Sequence, residues 1–127
     1  MRFTRDASSG INLIRSYGGG ELRVTDTVYR GALIVSAAAL LNEPHLTTFD
    51  SLLSDELWGA DASRILALDP EVVLLGTGAR QIFPPAAFSA RLLRKSIGIE
   101  IMDTGAACRT YNVLVAEQRR VVAVLLA

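Results

Sequence analysis

The second half of the chain alternates short apolar runs with helix-length segments, and this restricts the fold more than any other feature. Val72 to Leu75 reads as a strand, Pro85 to Lys95 as a helix, and Ile97 to Met102 as a strand. Thr104 to Gln118 reads as a helix and Val121 to Leu126 as a last strand. Strands this apolar are buried on both faces, and strands separated by helices of ten or more residues lie parallel in one sheet. The amino-terminal part follows another rule. Ile11, Leu13 and Ile14 precede Gly18-Gly19-Gly20, and Glu21-Leu22-Arg23-Val24 then alternates polar and apolar residues as a half-buried strand does. Glycines between two such runs predict an antiparallel hairpin. Thr25-Asp26 turns the chain again before Val28-Tyr29-Arg30, and Gly31 leads into Ala32 to Val35, apolar enough for a sheet interior. The expectation is a three-layer α/β domain over residues 11–127. It has a central mixed, mostly parallel sheet, helices, and an N-terminal antiparallel β-hairpin or meander. Residues 1–10 form a flexible leading segment.

Residues 36–60 are less legible. Asn42-Glu43-Pro44 breaks any helix from Ala37 to Leu41, because the residue before proline avoids the helical region. Thr48 or Asp50 is placed to cap a short helix through Leu53, and Asp61 to cap one over 62–68 that stops at Asp69-Pro70.

Charge narrows the partners. Lys plus Arg equals Asp plus Glu at 13 each among 127 residues. Nucleic acid is excluded as the main partner, because neutralising phosphates takes a surplus of clustered cations. Zero net charge favours association with another protein surface, a homodimer among the candidates. The longest apolar run, Ala32 to Leu41, falls well short of the roughly 20 residues of a membrane span. MRFTRDASSG has no apolar stretch of the secretory kind. The one cysteine excludes an internal disulfide and a cysteine-based zinc site. A soluble protein of the reducing cytoplasm, with no cofactor and no metal, is expected.

The candidate chemistry sits at two strand ends. If the strands at 72–75 and 98–102 are parallel neighbours, Gly76-Thr77-Gly78 and Asp103-Thr104-Gly105 open at the same sheet edge, where ligands bind in α/β sheets. Asp103 or Thr104 caps the following helix. Its first turn offers unpaired N–H donors and partial positive charge to an anion, and Arg109 lies one turn further on. Thr77, Gly78, Asp103, Thr104, Arg109 and Asn112 are therefore the candidate crevice or anion-binding set. The competing reading is structural, with Thr104 as a cap, Gly105 and the alanines packing tightly, and Arg109 paired with Glu100 or Glu117. In the helix, Ala107, Tyr111 and Leu114 form one packed stripe, with Cys108, Arg109 and Asn112 on another face. Cys108 is the candidate reactive thiol, set against the plainer role of a small buried residue; the lone His45 lies in a loop and supplies no evident base. Gly76-x-Gly78 lacks the third glycine of a dinucleotide fingerprint and no Gly-Lys-Ser/Thr follows.

Leu74-Leu75-Gly76-Thr77-Gly78, Met102-Asp103-Thr104 and the run Ala106-Ala107-Cys108-Arg109-Thr110-Tyr111-Asn112-Val113-Leu114 together resemble one small family, as does Glu117-x-Arg119-Arg120-Val121. That family is a domain of unknown function which includes mitochondrial respiratory complex I assembly factor 3 and small prokaryotic proteins. Tyr29-Arg30-Gly31 fits its amino half, so the resemblance covers most of residues 11–127; the stretch from Ser36 to Leu46 departs from it. The resemblance implies a three-layer α/β fold and a non-catalytic helper. Its expected partners are subunits of a membrane-associated respiratory complex or a second assembly factor. The alternative kept beside it is a small-molecule or anion-binding protein, or an enzyme, using the crevice at the two strand ends.

Overall fold

The computed structural model describes residues 10–127. The leading segment expected over 1–10 therefore lies almost wholly outside the described residues. Three strands, β1 (Ile14–Gly18), β2 (Glu21–Val24) and β3 (Thr27–Tyr29), form an antiparallel meander. The main sheet has five strands: β4 (Ala32–Val35), β5 (Leu40–Glu43), β6 (Val72–Gly76), β7 (Gly98–Met102) and β8 (Val121–Leu126). Their order is β5-β4-β8-β6-β7, parallel through β8-β6-β7 and antiparallel through β5-β4-β8.

The uninterrupted apolar runs are explained by the two cores they serve. Along β8, Val122, Val124 and Leu126 face one core while Val121, Ala123 and Leu125 face the other; β4 and β6 divide their residues the same way. All six residues of β8 are buried, and each fully buried Val or Leu contributes about 1.5–3 kcal/mol. The first core lies under α1 (Phe49–Leu52), α2 (Asp55–Trp58), α3 (Ser63–Leu66) and α4 (Ala86–Leu93). Thr48 caps α1 in a reciprocal box with Ser51, one of the two caps expected there. Fully buried Trp58 ties these short helices together. Its indole N–H donates to the Leu52 carbonyl at 2.7 Å, and its ring meets Phe88 edge-on at 4.8 Å.

The second core lies between the sheet, the long helix α5 (Thr104–Ala116) and the meander. Two local expectations change. The stretch read as a broken helix is strand β5, because Leu40 to Glu43 pairs residue by residue with Val35 to Ala32. Asp61 caps nothing: it and Ala62 adopt left-handed backbone within a tight turn, and α3 starts at Ser63 with no side-chain cap.

Candidate functional site

The parallel register of β6 and β7 sets Gly76 opposite Met102, and that of β6 and β8 sets Gly76 opposite Leu125. Three strand ends therefore open at one edge of the sheet. The two glycine-containing turns meet there, as expected for parallel neighbours. The third wall comes from the meander: the turn from Tyr17 through the three glycines to Leu22 faces Gly78, Ala79, Asp103 to Gly105, and Arg109 across a cleft of about 300 Å³.

Close backbone approach shapes this edge. A Cβ on Gly76 would lie 2.8 Å from Leu125 Cδ2 and 3.1 Å from Ala107 Cβ, so glycine lets α5 press onto the strand ends. A Cβ on Gly105 would lie 2.7 Å from the Tyr17 ring. The open first turn expected of α5 is thus covered by the protein's own tyrosine.

Most of the candidate polar groups are occupied in holding the edge together. Thr104, buried, donates its hydroxyl to the Leu126 carbonyl at 2.6 Å and accepts the Gly78 N–H at 2.8 Å. Its own N–H donates to the Gly78 carbonyl, so one residue fastens β6, β8 and α5. Thr77, also buried, donates its hydroxyl to the Arg80 carbonyl at 2.5 Å and accepts the Ile82 N–H at 3.0 Å, folding the loop back on itself. Asp103 Oδ1 accepts the Ala106 N–H at 2.8 Å, the N-cap bond, and its carbonyl accepts the Ala107 N–H. An anion seated on these amides would have to displace the Asp103 carboxylate.

Asn112 lies two turns further along α5 and outside the cleft wall. Its Oδ1 accepts the Ile14 N–H at 3.0 Å and its Nδ2 donates to the Ile14 carbonyl at 2.8 Å, so the side-chain amide pairs with β1 as a neighbouring strand would. Tyr111, fully buried, donates its hydroxyl to the Asn12 carbonyl at 2.7 Å; burial raises its pKa. The sequence places Tyr111 in the packed stripe of α5 and, with Arg109 and Asn112, among the residues that define the surface or shape the crevice; nothing local in it points to this bond 99 residues away.

Arg109 differs from these. It is exposed, it donates to the Tyr17 hydroxyl, and its guanidinium lies 5.8 Å from the Tyr17 ring centroid. Its partner is therefore a cleft tyrosine instead of Glu100 or Glu117. Tyr17, which completes the cleft, was not among the expected site residues; a tyrosine at a strand end before three glycines was the one available signal.

Cys108 joins Ala107, Tyr111 and Val115 on the buried face of α5, apart from Arg109, with which the helix spacing groups it, and in the place of the small buried residue that is the plainer reading. Burial pushes its thiol up to about 12, and the smaller opposing pull of Arg109 does not offset this. A reactive thiol needs the opposite shift. His45 is exposed and hydrogen-bonded to Glu56 of α2, on the other side of the sheet. Among the described residues no three His, Cys, Asp or Glu side chains gather as a metal site, and no helix is long and apolar enough to cross a membrane.

A second recess, of about 320 Å³, lies between Asp61, Ala62 and the end of α4 with Arg91, Arg94 and Lys95. Those cations stand at a helix C-terminus, whose partial negative charge already favours them.

The fold is shared with known proteins. A crystal structure of a Bordetella parapertussis protein superposes with a TM-score of 0.78 at 35% identity, over 92% of this chain and 96% of that one. A structure described as an outer membrane protein from Bartonella henselae superposes with a TM-score of 0.76 at 36% identity, over 93% and 96%. An uncharacterised Rhodobacter capsulatus protein is 36% identical over 113 residues, covering 89% of this chain and 82% of its own length. A Francisella tularensis relative named 13 kDa major membrane protein is 29% identical over 88% of both chains. The NADH dehydrogenase [ubiquinone] 1 alpha subcomplex assembly factor 3 of Danio rerio is 41% identical over 56 residues, which are 44% of this chain and 32% of that protein. The model of a family described as protein of unknown function (DUF498/DUF598) matches residues 14–126, from the first residue of β1 to the last of β8, and so spans both cores and nearly all of the cleft at the strand ends. The chain belongs to that family.

Proposed function

We propose that this protein is a non-catalytic accessory domain that works through protein–protein contacts, assisting assembly of a membrane-associated respiratory complex. The observation that carries this reading is where the motif side chains spend their hydrogen bonds. Thr77, Thr104, Asp103, Tyr111 and Asn112 bond to the chain's own backbone, and Cys108 is buried. Among the described residues no Cys, Ser or Thr side chain is hydrogen-bonded to a His, Asp or Glu side chain. What the cleft presents outward is Arg109 and Tyr17, both exposed, and both of the residue types that dominate binding energy at protein interfaces. The partial likeness to complex I assembly factor 3 supports the same role.

The test is affinity capture from native extract and detergent-solubilised membranes, with wild type and Arg109→Ala as baits of equal thermal stability. Respiratory-complex subunits or a second assembly factor should come down with wild type and be depleted with the variant. Identical captures from the two baits would refute the assignment of the cleft as the contact surface.

The second reading, a small-molecule site, is favoured by one observation: the cleft stays open at about 300 Å³, the lower end of ligand-pocket sizes. Because the Thr104, Ala106 and Ala107 amides of α5 already have acceptors, this reading fits a neutral ligand against Tyr17 and Arg109 better than an anion on the helix end. A metabolite screen read by thermal shift, positive in wild type and lost in Arg109→Ala, would favour it.

A further inference from the structure

We infer that β7 is a self-association edge, pairing antiparallel with β7 of a second copy about a two-fold axis at Ile99. Among the described residues β7 pairs only with β6, so it ends the sheet. The direction of its backbone groups follows from its neighbours. The Gly98 N–H donates to the Glu71 carbonyl and the Met102 carbonyl accepts the Thr77 N–H, so 98, 100 and 102 point towards β6. The groups of Ile99 and Ile101 then point away from the sheet. The Gln81 side chain confirms the sense by capping the outward Ile101 carbonyl at 2.9 Å. The Ile99 N–H and C=O remain, at the centre of an exposed or half-buried strand.

An unpaired edge is a template for another strand, and the sequence around this one complements itself. A closed two-fold dimer requires the two copies of β7 to run antiparallel. With Ile99 facing its own copy, each residue i lies opposite residue 198 − i. Ile99 then exchanges both backbone bonds with its twin. Glu100 falls opposite Gly98, so like charges do not meet. Arg94 and Lys95, just before the strand, lie alongside the Glu100–Asp103 end of the partner, with Lys95 opposite Asp103. The two ladder positions beyond Ile99 fit as well: the Ile97 N–H is already held by the Leu92 carbonyl and the Ile101 carbonyl by Gln81, which leaves the complementary Ile97 carbonyl and Ile101 N–H for the partner. A register centred on Glu100 would set two carboxylates face to face. Two five-stranded sheets become one continuous sheet, and of the cleft wall only Asp103, at the strand end, comes near the partner.

Gly98 supplies a test that reads the sign of a charge. Its backbone is not left-handed, and an added Cβ would meet nothing closer than 3.8 Å, so side chains are tolerated. In the dimer a residue at 98 lies directly across from the partner's Glu100, twice by symmetry. Sedimentation velocity over a micromolar-to-millimolar series should show a concentration-dependent dimer for wild type. Gly98→Lys should tighten it and Gly98→Glu weaken it, each by roughly two- to thirty-fold in the dissociation constant. Ile99→Pro removes an outward donor, which edge strands tolerate, together with a half-buried side chain packed on the first core, and should abolish association. Circular dichroism confirms folding of each variant. A wild type that stays monomeric throughout overturns the inference. So does a dimer that shifts the same way, or not at all, with both charges. The readout is mass without any other protein present, so failure here is distinct from failure of the accessory role.

Discussion

The sharpest consequence of the site geometry concerns Asn112, whose amide takes both the N–H and the C=O of Ile14. Asn112→Ala removes both bonds and strands both groups at the first residue of β1, which is 5% exposed. Each lost bond is worth about 0.5–1.5 kcal/mol net, and a buried group left unpaired costs about 1–3. Both bonds are only partly buried, so water recovers some of this and the expected loss is about 2 kcal/mol. Urea unfolding should show a lower midpoint with an unchanged slope, and the melting temperature should fall by roughly 6–10 °C. Asn112→Asp isolates the donor half. The introduced carboxylate still accepts the Ile14 N–H but faces the Ile14 carbonyl with a second acceptor, so its pKa in the folded state is raised above the ordinary value near 4. A raised acid binds its proton more tightly when folded, so the variant regains stability relative to wild type as pH falls through that pKa, the protonated oxygen now donating to Ile14. A cost below about 0.5 kcal/mol for Asn112→Ala, the range of ordinary surface substitutions, would refute the strand-mimic role. So would an Asn112→Asp penalty that does not change between pH 7 and pH 4. Either result would return Asn112 to the candidates for binding.

Two further outcomes are expected. Cys108, with its thiol pushed up to about 12 by burial, should resist iodoacetamide in the native protein at pH 8 and react once urea unfolds it; native-state labelling at the unfolded rate would contradict its place in the core. His45 is the only histidine, and its hydrogen bond with Glu56 raises its pKa above the ordinary 6.5. A raised folded-state value means that its stabilisation is fully present below about pH 6.5 and is lost as pH rises through the folded pKa. An NMR titration should show the midpoint drop in Glu56→Gln; an unchanged midpoint would remove Glu56 as the cause.

Which features were legible from sequence follows from where their causes lie. β6, β7, β8, α4 and α5 are long or strongly apolar, their signals are local, and the sequence locates them to within a few residues. β5 is not local: Leu40-Leu41-Asn42-Glu43 is a strand because β4 lies beside it, and Pro44 marks only where the segment stops. The same holds for α2, whose stability comes from Trp58 reaching Leu52 and Phe88, and for the left-handed turn at Asp61 and Ala62. At the site, parallel neighbours were enough to bring two strand ends together. The third wall depends on how the meander docks on α5, a contact between residues about 90 apart in the chain. Gly105 shows the limit well. Its missing side chain signals a close approach, but not that the approaching group is Tyr17.

The helix motif divides by the direction each side chain takes. Ala107, Cys108, Tyr111 and Val115 point into the core, Asn112 points at β1, and Arg109 points at Tyr17. Only the last contact joins two exposed side chains, and exposed pairs contribute little because water replaces what is lost. Arg109 and Tyr17 can therefore trade each other for atoms of a partner at small cost. Thr104 and Asn112 cannot, since releasing either would leave partly buried backbone groups of the strand ends or of β1 unpaired. Substitutions at Arg109 should consequently alter binding without altering stability, and those at Asn112 should do the reverse. If both positions moved stability alone, the cleft would be a structural seam and the accessory role would have to rest on another surface.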